Sequence, residues 1–239
     1  PGALIGVLTV LVFYFLVKEL FKNERLALLS SLFLAISPWH LHFSRGGWEV
    51  NVATFFITLG LLYFVKFTKN PRFPNVVLST LYLVLSLYAY HAARIIVPLL
   101  GIGLLLIYWR QIKKHTKTLL VAAALGVVLL FPLVRDFTKE AVVSRAAGVG
   151  LFADTGPLAR INEQRGEHSD FQSLPAKLLH NKAVNYGLAF AQNWAEHFWG
   201  EFLFLSGDDI QRNKVPETGA FYLTELIFIA VGLFAIAKN

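Results

Sequence analysis

The 239-residue chain contains no cysteine and no methionine, and only 15% of its residues are charged. Without cysteine there is no disulfide, no thiol nucleophile and no thiolate ligand, although nothing follows about compartment. Soluble globular domains are usually about one-quarter charged, so the composition argues against a water-soluble enzyme body. The sequence also has no G-x-x-x-x-G-K-[ST], no G-x-S-x-G and no H-E-x-x-H, which removes the support for P-loop, serine-hydrolase and zincin chemistry. Gly101-Ile102-Gly103 lies in an apolar run and is expected to serve helix packing rather than nucleotide binding. No basic start followed by a short apolar region and a small-residue cleavage site is present, so a signal peptide with a soluble body is excluded. With no initiator Met and an apolar run from residue 2, the sequence is expected to be an internal piece of a longer protein.

What the chain has in abundance is apolar surface: 56% of residues are hydrophobic and the mean hydropathy is +0.56. Gly2–Val17, Leu26–Ile36, Val50–Val65, Val76–Ala89, Ile95–Trp109, Leu119–Val134 and Phe221–Ala237 carry almost no charge. A spanning helix needs about 20 residues. Several of these runs reach that length only when their polar and aromatic flanks sit in the interface. The pattern predicts an all-α, polytopic membrane helix bundle of about seven spans, Leu26–Phe43 being the weakest. Residues 1–134 form a six-span region, 135–218 an extracytoplasmic loop with an interfacial helix, and 219–239 the seventh span.

The net charge is +7, and its distribution decides its meaning. Lys18, Lys22 and Arg25 follow the first span, and Lys66, Lys69 and Arg72 the third. Arg110, Lys113, Lys114 and Lys117 follow the fifth, and Lys238 the seventh; the alternate short loops hold only Arg45 and Arg94. This is the positive-inside pattern. It puts Pro1, Arg45, Arg94 and the 135–218 loop outside a multi-pass cell membrane. The basic excess is therefore topological, and no nucleic-acid partner is expected.

Asn70–Asn75 is a Pro-containing inner turn, and Pro98 and Pro132 are kinks within spans. In the long outer loop, Gly148, Gly150, Gly166, Pro157 and Pro175 interrupt any regular element, and Asn162–Asp170 reads as a solvated, mobile stretch. Within Asn185–Leu205, Tyr186, Phe190, Trp194 and Phe198 recur every four residues, which makes one face of a helix. Such a helix lies on the membrane surface or caps the bundle; a solvated connector is the plainer alternative.

The polar side chains collect at the outer end. Pro38-Trp39-His40-Leu41-His42-Phe43-Ser44-Arg45-Gly46-Gly47-Trp48-Glu49-Val50-Asn51 places two His, an Arg, a Glu and an Asn between apolar runs, an expensive arrangement in a membrane unless it faces water or carries chemistry. Tyr88, Tyr90, His91 and Arg94 follow in the next outer turn, and Asp208, Asp209 and Arg212 precede the last span. His40 and His42 with Glu49 suit a divalent metal, but residues at i and i+2 fall on different faces of a helix, and interfacial hydrogen bonding is the other reading. Arg45 or Arg94 can grip a phosphate with a guanidinium fork, or Arg94 can snorkel to headgroups. Glu49 is the one carboxylate of its loop and the natural acid, base or ligand there. A transporter or lipid flippase would instead carry ionisable groups at span centres, and these are almost bare.

Several stretches resemble one family. Pro1-Gly2-Ala3-Leu4-Ile5-Gly6 with Lys18-Glu19-Leu20-Phe21 is similar to the second membrane helix of bacterial protein-mannosyltransferase-like glycosyltransferases of the glycosyltransferase C superfamily, to which the aminoarabinose transferase of lipid A also belongs. Ile36–Arg45 resembles their second outer loop, Tyr88-Ala89-Tyr90-His91-Ala92-Ala93-Arg94 with Pro98 the next outer turn, and Leu203–Asp208 with Arg212, Pro216 and Gly219 the stretch before a later helix. The resemblance implies a polyprenyl-phosphate sugar donor used on the outer face of a bacterial or archaeal cytoplasmic membrane, an acceptor hydroxyl or lipid, and a divalent metal as the one expected cofactor. It places the principal carboxylate in an outer loop before Pro1, and further helices after Asn239, so that the piece is expected to be inactive alone. Glu49 matches an acidic position that closes the second outer loop and is the expected catalytic helper. Arg45 and Arg94 match the donor phosphate site, with Asn51, Tyr90, His91, Asp208 and Arg212 completing the substrate-binding set. Where the pattern has a His after the last Arg, Asn213 stands here, which weakens a proton-transfer role at that position.

Overall fold

The computed structural model describes residues 1–136, 153–168 and 170–238. Among the described residues every regular element is helical and there is no strand. Two compact units divide the chain: Pro1–Leu133 with Phe204–Asn239, and Val134–Leu203.

The first unit begins with α1 (Gly2–Phe21), which ends where Lys22 takes a left-handed conformation, φ 54°. Asn23 caps α2 (Glu24–Ile36) by accepting from the Leu26 N–H. The chain then bends by 58° into α3 (Pro38–Arg45). Ser37 is extended there, and Pro38 supplies no N–H to continue α2, so the break is written into Ser-Pro. The polar knot, expected as a loop, is thus largely a short helix. Gly46 and a left-handed Gly47 (φ 69°) turn the chain into α4 (Glu49–Lys69). Then come α5 (Phe73–Ala89), α6 (Ala93–Ile107), the single turn α7 (Trp109–Ile112), α8 (Thr116–Asp136) and, last in the chain, α12 (Glu225–Lys238).

Each of the seven apolar runs coincides with a helix, but not each helix is long enough to span. Among the described residues, Gly2–Phe21, Glu49–Lys69 and Trp109–Asp136 meet the length and hydropathy of a span, and the bent α2–α3 pair brings the number to four. The helices α5 and α6 are 17 and 15 residues long, short of the roughly 20 residues of a typical span. The outward faces are apolar all the same: Leu106, Ile107, Phe131, Phe234 and Ile236 are exposed, a surface suited to hydrocarbon rather than water.

The helices α1 and α4 run parallel. At one end Asn51 Nδ2 donates to the Gly2 carbonyl (2.9 Å); at the other the Lys69 ammonium donates to the Glu19 carbonyl and sits 3.7 Å from its carboxylate. Lys18 pairs with Glu24 at 3.2 Å at that same end. Exposed pairs of this kind add little stability, but they fix register. Close approach relies on glycine: a Cβ on Gly2 would lie 2.7 Å from the Ser44 carbonyl, one on Gly6 2.4 Å from Ser44 Oγ, and one on Gly60 2.6 Å from Leu83. At Gly101 and Gly103 an added Cβ meets nothing within 4 Å, so the packing role expected of that pair falls to Gly2, Gly6 and Gly60 instead.

The second unit contains α9 (Gly156–Gly166), α10 (Leu174–Leu179) and α11 (Lys182–Glu196). Asn162–Gly166, expected as part of a mobile stretch, is the second half of α9, which buries Pro157 and Ile161. Gly148 and Gly150 lie outside the described residues. The expected aromatic helix ends at Glu196, and Tyr186 leaves its stripe: it is buried, its hydroxyl donating to the Asp154 carbonyl at 3.0 Å. Phe190, Trp194 and Phe198 stay exposed.

Candidate functional site

The helix α3 forms one wall of a cavity of about 570 Å³. From it come Pro38, Leu41, His42 and Arg45, with Gly46 just beyond; the opposite wall is Val215, Thr218 and Tyr222, from the segment that leads into α12. Arg45 is the cation among these lining residues, and it is exposed.

Three hydrogen bonds hold the walls together. Ser37 Oγ and the Trp39 N–H both donate to the Ala220 carbonyl, at 3.2 and 3.4 Å. His42 Nε2 lies 2.9 Å from the Arg212 carbonyl; a carbonyl only accepts, so this nitrogen carries the proton. The second wall is shaped by its own turn. Asp208 accepts from the Ile210 N–H at 2.8 Å and from Asn213 Nδ2 at 3.0 Å. Gly207 is left-handed (φ 70°), and a Cβ there would come within 3.0 Å of the Thr218 carbonyl. Asp208, expected to touch substrate, thus has both carboxylate oxygens engaged by its own loop, and Asn213 supplies one of those bonds.

His40 points elsewhere. It is buried, with Nε2 donating to the Gly6 carbonyl at 3.2 Å. Residues two apart on a helix diverge by about 200°, so α3 sends His40 into the packing with α1 and His42 toward the cavity wall. Among the described residues no group of three or more His, Asp or Glu is arranged to hold a metal ion, and His40 with His42 does not make a ligand pair.

Glu49 is the first residue of α4 and exposed, where its charge complements the helix N-terminus. Gly46, Gly47 and Trp48 separate it from Arg45, and the Trp48 ring meets Phe43 edge-on at 6.3 Å. Asn51 is buried and ties α4 to Gly2, a bracing role. The second polar cluster is tied to α5 and α8. Tyr88 donates to the Leu129 carbonyl at 2.5 Å, Arg94 Nε donates to the Leu87 carbonyl at 3.2 Å, and the Tyr90 and His91 rings lie 4.4 Å apart. Neither Glu49 nor Tyr90, His91 or Arg94 is among the cavity-lining residues. Ser37, Val215, Thr218 and Tyr222 belong to the site and were not singled out by the sequence; of these only Ser37, through its Ser-Pro step, carried a local signal.

The family model described as dolichyl-phosphate-mannose-protein mannosyltransferase matches residues 1–135, the stretch that includes α3, Arg45 and Glu49. Comparison with curated proteins and with solved structures found no match.

Proposed function

The chain belongs to the dolichyl-phosphate-mannose-protein mannosyltransferase family, and on that premise we propose that it transfers a sugar from a polyprenyl-phosphate donor to an acceptor hydroxyl or lipid at the outer face of the cell membrane. Membership makes it a membrane glycosyltransferase of the mannosyltransferase type. The finer reading is supported chiefly by the cavity between α3 and the segment before α12, which has Arg45 on its wall and lies at the end of α4 opposite Lys66 and Lys69.

In this reading the donor's polyprenyl tail stays in lipid, against the apolar flanks of the helices, while its phosphate enters from the interface. The Arg45 guanidinium takes the phosphate oxygens. The acceptor hydroxyl gives up its proton to a carboxylate, Glu49 being the candidate in this stretch. The hydroxyl oxygen forms a bond to the anomeric carbon as the bond from that carbon to the phosphate oxygen breaks, and the electron pair leaves on the polyprenyl phosphate. A cation beside the phosphate offsets the charge that develops there. His42 takes no part in the proton transfer; it holds the far wall in place.

The test supplies membranes containing the protein with labelled mannose on either a polyprenyl phosphate or a nucleotide. Transfer from the lipid-linked donor alone supports the reading. Transfer from the nucleotide donor, or movement of the lipid donor across the bilayer with no transfer, would overturn it.

A further inference from the structure

The second unit carries a pair of histidines that face each other nitrogen to nitrogen. His168 follows α9 and His180 ends α10, with their Nε2 atoms 3.0 Å apart and their ring centroids 5.0 Å apart. On its other side His180 Nδ1 lies 3.1 Å from Gln164 Oε1. An amide oxygen only accepts, so Nδ1 holds the proton and Nε2 presents its lone pair toward His168. The backbone that bears His180 is gripped separately, because Arg165 Nε donates to the His180 carbonyl at 2.8 Å and the Arg165 guanidinium lies 5.9 Å from the Phe171 ring centre. Both imidazoles are half-buried, fixed in place yet open to solvent.

We propose that His168 and His180 form a two-imidazole site for a borderline divalent cation, with zinc the best fit, which clips the end of α9 to the end of α10. Two nitrogens bound to one zinc at about 2.0–2.1 Å and a tetrahedral angle sit about 3.3 Å apart, so the observed separation is within a few tenths of an ångström of that, and the rings turn to bring both lone pairs onto the cation. The Gln164 oxygen does for His180 what outer-shell carbonyls do for metal-bound histidines: it fixes the tautomer and aims the ring. Imidazole favours zinc, copper and nickel over magnesium and calcium. No third His, Asp or Glu joins the pair among the described residues, so water fills the remaining positions.

Without the cation the pair holds one proton between the rings, donated by His168 Nε2 to His180 Nε2. Binding requires His168 to move that proton to its Nδ1, with no net proton released. His197 in the same unit is committed elsewhere, its Nδ1 donating to the Asn193 carbonyl at 2.6 Å, and serves as the control.

The experiment strips the purified protein with a chelator, dialyses it against buffered Zn²⁺ and measures bound metal by elemental analysis, with thermal unfolding alongside. One zinc per chain is expected, lost in His168→Ala and in His180→Ala, retained in His197→Ala, and held about 10-fold more weakly in Gln164→Ala. His168→Gln and His180→Gln keep a polar side chain at each position; they are expected to unfold at the wild-type temperature without metal and to lose the upward shift that zinc gives the wild type. Equal zinc content in the wild type and the two Ala variants would overturn the proposal, and so would equal retention of Mg²⁺.

Discussion

The His42 imidazole donates to the Arg212 carbonyl across 2.9 Å and 170 residues of sequence. That bond joins α3 to the segment before α12, alongside the two bonds that Ser37 and Trp39 make to the Ala220 carbonyl. His42→Ala removes one net hydrogen bond, worth about 0.5–1.5 kcal/mol. Its expected effect is a raised KM for the lipid-linked donor with a smaller change in kcat, measured in steady-state transfer assays. His42→Gln, whose amide can still donate, is expected to recover most of the loss.

Gly6 and Ser44 make a second relationship that can be tested by exchange. A Cβ on Gly6 would overlap Ser44 Oγ at 2.4 Å and Ser44 Cβ at 2.6 Å. Gly6→Ala is therefore expected to cost about 1–3 kcal/mol by overpacking, and Ser44→Gly in the same chain to return much of it. Gly101→Ala meets open space and is expected to be neutral or stabilising by about 0.5–1 kcal/mol, as for any glycine replaced within a helix. Thermal unfolding in one detergent ranks all three.

Asp208 separates a bracing role from a chemical one. Its carboxylate accepts from Ile210 and Asn213, and an amide at that position can keep both bonds, with Asn213 turned over to accept. Asp208→Asn is expected to transfer sugar within a few-fold of wild type, and Asp208→Ala to lose about 1–3 kcal/mol of local stability. An inactive Asp208→Asn with unaltered unfolding would give Asp208 direct contact with substrate.

Orientation can be read by labelling because the chain has no cysteine of its own. Arg45→Cys is expected to react with a membrane-impermeant maleimide added outside intact cells. Lys114→Cys is expected to react only after the cells are opened. The reverse result would invert the topology.

Much of this architecture was legible because it depends on local pattern. Apolar runs located the helices, and the alternation of Lys and Arg placed the basic ends of α1 and α4 on one side, where Lys69 and Glu19 lie 3.7 Å apart. What local pattern could not give was length and partnership. Seven runs read as seven spans, and of these α5 and α6 stop at 17 and 15 residues because extended residues or turns bound them. Four residues of the polar knot's α3 half line the cavity together with Gly46, but its histidines were grouped by composition, whereas α3 sends His40 to Gly6 and His42 to Arg212. The second cavity wall lies far along the chain, and Val215, Thr218 and Tyr222 are ordinary residues with no motif to mark them. Asn162–Gly166 looked solvated because five polar or glycine residues in a row hide the buried Pro157 and Ile161 that hold the helix.

The central claim is that Arg45 receives the donor phosphate on the α3 wall of the cavity. Its most direct test is kcat/KM for the polyprenyl-phosphate donor in Arg45→Ala and Arg45→Lys, at fixed acceptor. A drop of about tenfold or more in Arg45→Ala, corresponding to the ~1.5–3 kcal/mol of a hydrogen bond to a charged group, with partial recovery in Arg45→Lys, is predicted. Wild-type kcat/KM in both variants would contradict it.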